Sequence, residues 1–398
     1  MTDTLAALKL KKDQDRRLRT GHCWIYSNEI DIAATPLKGF EPGDQAQLLA
    51  HNGKAIGTVY VNPNGLIAAR LFSRDEHRLD TSLIVHRLNI ALSLRERLYA
   101  EPFYRLVFGE SDGLPGLILD RFGDVVVGQI SSHGMERVIP QIEAALEKVL
   151  KPHALLWRND GGARALEGLP EYQRLAWGEL EPSVLVREHG LAFHCSLSAG
   201  QKTGWFYDQR DNRQALARFC RDARMLDVFS YCGAWSLSAL AAGAASAVAI
   251  DSSKPALEFA RMSAASQGVT DKFSTIADDA FDALKTLRAA RERFDLVVVD
   301  PPAFIKKRRD HKEGALAYRR INEMAMQVLK HDGILISCSC SHHFSFAELL
   351  DAVNQGARHL DRQVQLLQVL QQSADHPVLP SIPETSYLKG AIFRVLPV

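Results

Sequence analysis

Residues 294–304 read FDLVVVDPPAF. The run Leu296–Val299 is a buried strand, and Asp300 closes it. Two prolines follow at once, and their rings fix a rigid extended turn. The turn holds the Asp300 carboxylate and nearby backbone oxygens at the strand's carboxyl end, where open α/β sheets bind their substrates. A purely structural use of D-P-P is uncommon, so the stretch points to chemistry.

Working outward, strands and helices alternate from about residue 189. MLDVFS precedes a helix over 235–242, AVAID one over 254–267 and FSTIA one over 281–291. FDLVVVD precedes a helix over 315–329, and GILISCS one over 347–356. This rhythm predicts a mostly parallel sheet with helices on both faces. The first 72 residues instead alternate apolar runs with the hairpin signals Gly43-Asp44, Asn52-Gly53 and Asn64-Gly65, which predicts a small all-β unit. Between them, 73–188 mixes strands with helices at 78–99 and 138–150. The expected domains are therefore 1–72, 73–188 and 189–398.

With 398 residues the chain exceeds a single core. Its composition, 46% hydrophobic and 24% charged, is that of an ordinary soluble protein. No run approaches the roughly 18 apolar residues of a membrane span, and the start has no secretion pattern. Six scattered cysteines make no disulfide framework and favour a reducing cytoplasm. Net charge is +1, yet Lys9–Arg19 holds six bases against two acids, and residues 306–309 are KKRR. Such patches suit a polyanion, though each alone is also an ordinary solvated face.

Three further strand ends carry acids. In LDVFSYCGAWSLSALAAGA (226–244), a strand ends in Asp227 and a turn with Gly233 leads into a helix of small residues. A single glycine there argues against a dinucleotide pyrophosphate. Asp251 closes the next strand, where a carboxylate can accept both hydroxyls of a ribose, or cap the following helix. Asp278 and Asp279 close the third, placed to meet an adenine amino group or to cap a helix. No metal site is expected. Cys338, Cys340, His342 and His343 are too crowded for one zinc tetrahedron, and a Cys338–Cys340 disulfide would be strained.

These four elements in order resemble the class I S-adenosylmethionine-dependent methyltransferases, with a Rossmann-like α/β domain. In that frame Cys340 ends the strand beside the D-P-P strand. A thiolate adding to carbon 6 of a pyrimidine makes carbon 5 nucleophilic enough to take a methyl group. Cys338 reads as core packing.

GHCWIYSNEI (21–30), ESDGLPGLILDRFGD (110–124), KTGWFYDQRDNR (202–213), DPPAF (300–304), SCSCS (337–341), ADHPV (374–378) and YLKG (387–390) extend the resemblance over the whole chain. It is similar to the bacterial large-subunit ribosomal RNA cytosine-5 methyltransferases with an N-terminal PUA domain. The resemblance implies a PUA-like RNA-binding β-barrel, a small α+β connector and a catalytic domain, 23S rRNA as partner and 5-methylcytosine as product. It makes Cys340 the nucleophile, with Asp300 as its catalytic companion. Asp227, Ser230, Gly233, Asp251, Asp279 and Asp300 line the S-adenosyl-L-methionine site, joined by Lys202, Phe206, Asp208 and Arg210. It admits a homodimer, which no residue here shows. Pro302 stands where related enzymes carry a second cysteine, leaving His376, Asp300 or water to take the carbon-5 proton.

Overall fold

The computed structural model describes residues 5–398 and divides into two compact units. The first holds the chain to Pro182 with Leu197–Gly204 and Ala374–Thr385; the second holds Ser183–Ser196, Trp205–Ser373 and Ser386–Val398.

In the first unit, Ala6–Lys9, Gln45–Leu49, Ala55–Val61, Ile67–Ser73 and Trp24–Tyr26 form a five-stranded sheet in that spatial order. Asn52-Gly53 turns one hairpin: Gly53 takes a left-handed φ of 84° and the Asn52 carboxamide oxygen accepts from the Lys54 N–H. Alternate residues such as Leu8, Leu48, Val59 and Leu71 point inward and make the core. A second five-stranded sheet, from Phe103–Phe108 to Tyr172–Trp177, is covered by the helices Thr81–Leu98 and Ile139–Val149 around buried Trp157.

The second unit is built on seven strands: β1 (Arg224–Val228), β2 (Ser246–Asp251), β3 (Phe273–Ala277), β4 (Phe294–Val299), β5 (Leu329–Ser339), β6 (Arg362–Gln371) and β7 (Lys389–Pro397). Their spatial order is β3-β2-β1-β4-β5-β7-β6. The first five run parallel, and β7 enters antiparallel between β5 and β6. Val297, Val299, Leu335 and Phe393 lie in its buried core.

Helices α1 (Ala234–Ala241), α2 (Lys254–Ser266), α3 (Ala280–Ala289), α4 (His311–Val328) and α5 (Phe346–Arg358) connect these strands. Their starts are written locally. Ser253 caps α2, Asp279 caps α3, and Ser345 with Glu348 forms a capping box on α5. Because strand order reverses between β1 and β4, a crevice opens at their carboxyl ends. A hairpin of Val184–Glu188 and Leu191–Cys195 packs beside α2, where the His194 N–H donates to Ser263 Oγ at 2.8 Å.

Candidate active site

The turn after β1 is unusually shaped. Phe229, Tyr231 and Gly233 all take left-handed backbone angles, with φ of 66°, 49° and 72°. Two of the three are aromatic, for which this conformation costs of order 1–3 kcal/mol each. The neighbouring strand supports it. Asp251 Oδ2 accepts the Tyr231 N–H at 2.8 Å, and the Ser230 N–H donates to the Ile250 carbonyl. Glycine at 233 also serves packing, since a Cβ there would lie 3.0 Å from that of Ala260.

Asp227 is wholly buried beneath this turn. Its Oδ2 accepts from the Ser236 N–H and hydroxyl, at 3.1 and 2.9 Å. Its Oδ1 and the Ser230 hydroxyl are buried with no hydrogen-bond partner. Burial raises the Asp227 carboxyl to about 7; the Ser236 bonds oppose this, and the charges of Asp300 and Asp251 add to it.

Asp300 lies at the end of β4. Its Oδ2 accepts from the Gln209 carboxamide at 2.9 Å and from the Trp235 indole at 3.1 Å. Burial raises its carboxyl to about 6, against the lowering pull of the Trp235 bond. Neither Gln209 nor Trp235 stands out in the sequence. Gln209 sits inside KTGWFYDQRDNR and Trp235 two residues past Gly233, but partners 91 and 65 residues from Asp300 leave no local pattern.

Within the same unit, the Phe206 ring meets that of Tyr231 edge-on at 5.4 Å. Asp208 is buried and accepts from the Tyr387 hydroxyl at 2.5 Å. Arg210 lies over the Tyr207 ring and 3.8 Å from Glu188. Glu188 forms a bidentate pair with Arg213, both bonds 2.6 Å. Burial pushes the Glu188 carboxyl upward, but the arginine charges and bonds outweigh it and hold the group below its ordinary value. Asp251 also accepts the Ser253 N–H, so it both supports the turn and enters the α2 cap. Asp279 caps α3 through Phe281 and Asp282, and Asp278 accepts the Asp279 N–H.

Cys340 is the first residue beyond β5, half-buried, its Sγ 4.0 Å from the Pro301 carbonyl oxygen. Cys338 is buried and pairs across the sheet with Gly390, where a Cβ would come within 3.0 Å of its sulfur. Burial and the Asp300 charge hold the Cys338 thiol well above its ordinary range. The two cysteines thus differ as packing group and accessible thiol.

Lys202 and His376 belong to the first unit. Lys202 has a left-handed φ of 50°. His376 is buried with Nδ1 2.8 Å from Asp375 Oδ1. Asp375 in turn accepts from the Arg105 N–H through its carboxylate and from Arg95 through its carbonyl.

The model of the PUA-like domain family matches residues 8–74, and that of the S-adenosylmethionine-dependent methyltransferases matches 172–394. Ribosomal RNA large subunit methyltransferase I of Erwinia tasmaniensis is 35% identical over 396 residues, covering 98% of this chain and 99% of that one. The protein of the same name from Klebsiella pneumoniae is 34% identical, with 100% of both chains covered. The chain belongs to the ribosomal RNA large subunit methyltransferase I family. A solved structure described as a methyltransferase complexed with SAH shares the fold of this methyltransferase, with TM-score 0.83 and 19% identity over 98% of this chain and 100% of that one. A Streptococcus mutans structure described as a SAM-dependent methyltransferase superposes at TM-score 0.82 with the same identity and coverage.

S-adenosylmethionine is the cofactor of this methyltransferase, and the crevice residues fit it. Asp227 Oδ1 and Ser230 Oγ are buried polar atoms with no hydrogen-bond partner within the protein, a capacity that a ligand's donors can satisfy. Each Asp251 oxygen keeps acceptor capacity beyond its single backbone N–H. Among the described residues, no helix is long and apolar enough to cross a membrane.

Proposed function

We propose that this methyltransferase methylates carbon 5 of a cytosine in 23S ribosomal RNA through a covalent bond from Cys340. The observation that carries the reading is the half-buried Cys340 sulfur, 4.0 Å from the Pro301 carbonyl of the D-P-P turn. The names of the relatives support ribosomal RNA of the large subunit as substrate, and the PUA-like match supports an RNA partner.

S-adenosylmethionine, when bound, supplies a methyl group on a positively charged sulfur. Asp227, Ser230, Gly233 and Asp251 hold its nucleoside end, and Asp279 borders the base. The family pattern assigns Phe206, Asp208 and Arg210 to the cofactor side as well. Cys340, as thiolate, forms a bond to carbon 6 of the cytosine, and the displaced electron pair moves toward ring nitrogen 3. Asp300, whose burial keeps its proton to about pH 6, shares that proton with nitrogen 3 as charge develops. Carbon 5 becomes enamine-like and takes the methyl group, whose bond to the sulfonium sulfur breaks with its electron pair left on that sulfur. A base then removes the carbon-5 proton, and the Cys340 sulfur leaves with its electron pair.

The test is nucleoside mass spectrometry after incubating wild type and Cys340→Ala with isotopically labelled cofactor and unmodified 23S rRNA. Labelled 5-methylcytosine from wild type alone supports the reading. Equal methylation by the variant would sink it and move the chemistry to Asp300 and an exocyclic nitrogen, which a D-P-P turn can orient without a thiol.

A further inference from the structure

The segment that follows Cys340 is held from two sides. On one, the Tyr318 hydroxyl of α4 bonds to Ser339 Oγ and Ser341 Oγ, both at 2.8 Å. Ser341 Oγ also accepts the Ile305 N–H at 3.1 Å, which ties it to the loop after D-P-P. On the other, Lys389, the first residue of β7, lies opposite Ser339 in the sheet. Its Nζ donates to the Ser341 carbonyl at 2.6 Å and the Phe344 carbonyl at 2.8 Å. Lys389 therefore grips the backbone next to the cysteine and again four residues beyond it.

An ammonium group fixed by two carbonyls is an unusual tether for a loop. Half-burying a lysine costs solvation that a neutral donor would not. What it adds is charge. The acidic groups near enough to act on this ammonium when ionised are Cys340 and Glu348, the latter in the first turn of α5. Glu348 is engaged by Ser345 and by His311, so its charge is largely shared within its own cap. Around the thiol, the Pro301 carbonyl of the turn after β4 lies 4.0 Å from its sulfur, and the Tyr318 hydroxyl of α4 holds the serines on either side of it. Lys389 of β7 holds the carbonyl of the next residue, and the buried Cys338 lies two residues back on β5.

We propose that Lys389 is a positioning residue for Cys340, tying down the loop that carries the thiol and holding a positive charge against the backbone of the next residue. A nearby cation favours the thiolate, the form that attacks carbon. The tether keeps that thiolate directed at the space beside the D-P-P turn. Burial lowers the Lys389 ammonium to about 8, so the charge is present near neutral pH and is lost just above it.

The inference rests on Cys340 as the nucleophile, and its test is read on the thiol itself, without RNA or cofactor. The full-length protein and its Lys389→Gln, Lys389→Met and Lys389→Arg variants are alkylated with iodoacetamide over a pH series. Modification at Cys340 is followed by peptide mass spectrometry. Near neutral pH, Gln and Met should slow Cys340 labelling about tenfold and shift its pH midpoint upward by about one unit, while Arg stays within about threefold of wild type. Labelling of the buried thiols Cys195, Cys220 and Cys232 reports whether each variant is folded.

The Gln variant retains donors for the two carbonyls and lacks the charge, so it decides the question if the Met variant loosens. Wild-type labelling of folded Lys389→Gln at every pH would overturn the proposal. So would a folded Lys389→Arg that labels as slowly as Lys389→Gln. In methyl transfer, Lys389→Gln should lower kcat with little change in KM for RNA. If labelling shifts as expected but Cys340→Ala still makes 5-methylcytosine, the tether stands and the nucleophile assignment falls.

Discussion

The Trp235 indole N–H donates to Asp300 Oδ2 at 3.1 Å, joining the start of α1 to the end of β4 across the point where strand order reverses. A half-buried carboxylate with few donors is costly to ionise, and this bond is one of two that Oδ2 accepts.

Replacing Trp235 by Phe keeps an aromatic ring and removes the donor. The Asp300 carboxyl, already raised to about 6, should rise further. A raised carboxyl stabilises the fold fully below its unfolded value, and that stability is lost as pH rises through the folded one. Trp235→Phe should therefore cost about 1.5–3 kcal/mol at around pH 8 and much less at around pH 5. Urea unfolding at both pH values checks this; an equal loss at both would show that the bond does not matter to the charge.

Asp227 makes the same argument more strongly. Its carboxyl is raised to about 7 by burial, so wild-type stability should decline between about pH 4 and pH 7 as this group is forced to ionise. Asp227→Asn removes the charge and leaves an oxygen for Ser236. It should be more stable than wild type by a few kcal/mol at about pH 8, with the gain vanishing near pH 4. Cofactor affinity, measured by calorimetry, should fall at the same time. A variant no more stable at high pH would contradict the buried charge.

Glu188 and Arg213 form a buried pair, both with nearly inaccessible side chains. Glu188→Gln leaves the guanidinium without its counter-charge and should cost roughly 3–5 kcal/mol. Denaturant unfolding at neutral pH measures it. A loss below about 1 kcal/mol, the size of an exposed ion pair, would mean that water reaches the arginine.

Lys306, Lys307, Arg308 and Arg309 are exposed just beyond the D-P-P turn. Neutralising all four should weaken RNA binding and reduce the slope of log affinity against log salt by about 0.7 for each phosphate no longer neutralised by the protein. Filter binding across a salt series reads both. An unchanged slope would make the patch ordinary surface.

The strand–helix rhythm after residue 189 was legible because each element writes its own period and its own cap. Apolar Leu296–Val299, the Ser345–Glu348 capping box and the acids ending β1 to β4 are local signals, readable without knowing what they face. The positions of Asp227, Asp251 and Asp300 at strand ends follow from that reading, since a parallel sheet gathers its carboxyl ends on one side. The contrast between Cys338 and Cys340 was foreshadowed by the motif alone. Its physical form, a buried thiol against Gly390 and a half-buried thiol past the strand end, was not.

Tertiary structure decided the rest. Nothing in Arg362–Gln371 or Lys389–Pro397 says that the later strand inserts antiparallel beside β5, yet that insertion is what sets Lys389 opposite Ser339. The left-handed Phe229 and Tyr231 carry no glycine signal, because Asp251 and the Ile250 carbonyl stabilise the turn from a neighbouring strand. Gln209 and Trp235 converge on Asp300 from distant parts of the chain. The amino-acid sequence by itself determined which elements form and which chemical groups end them, because those depend on neighbours a few residues away. Which of these groups meet, and which carboxyls are held above their usual pKa, depended on burial and on partners brought together only by folding.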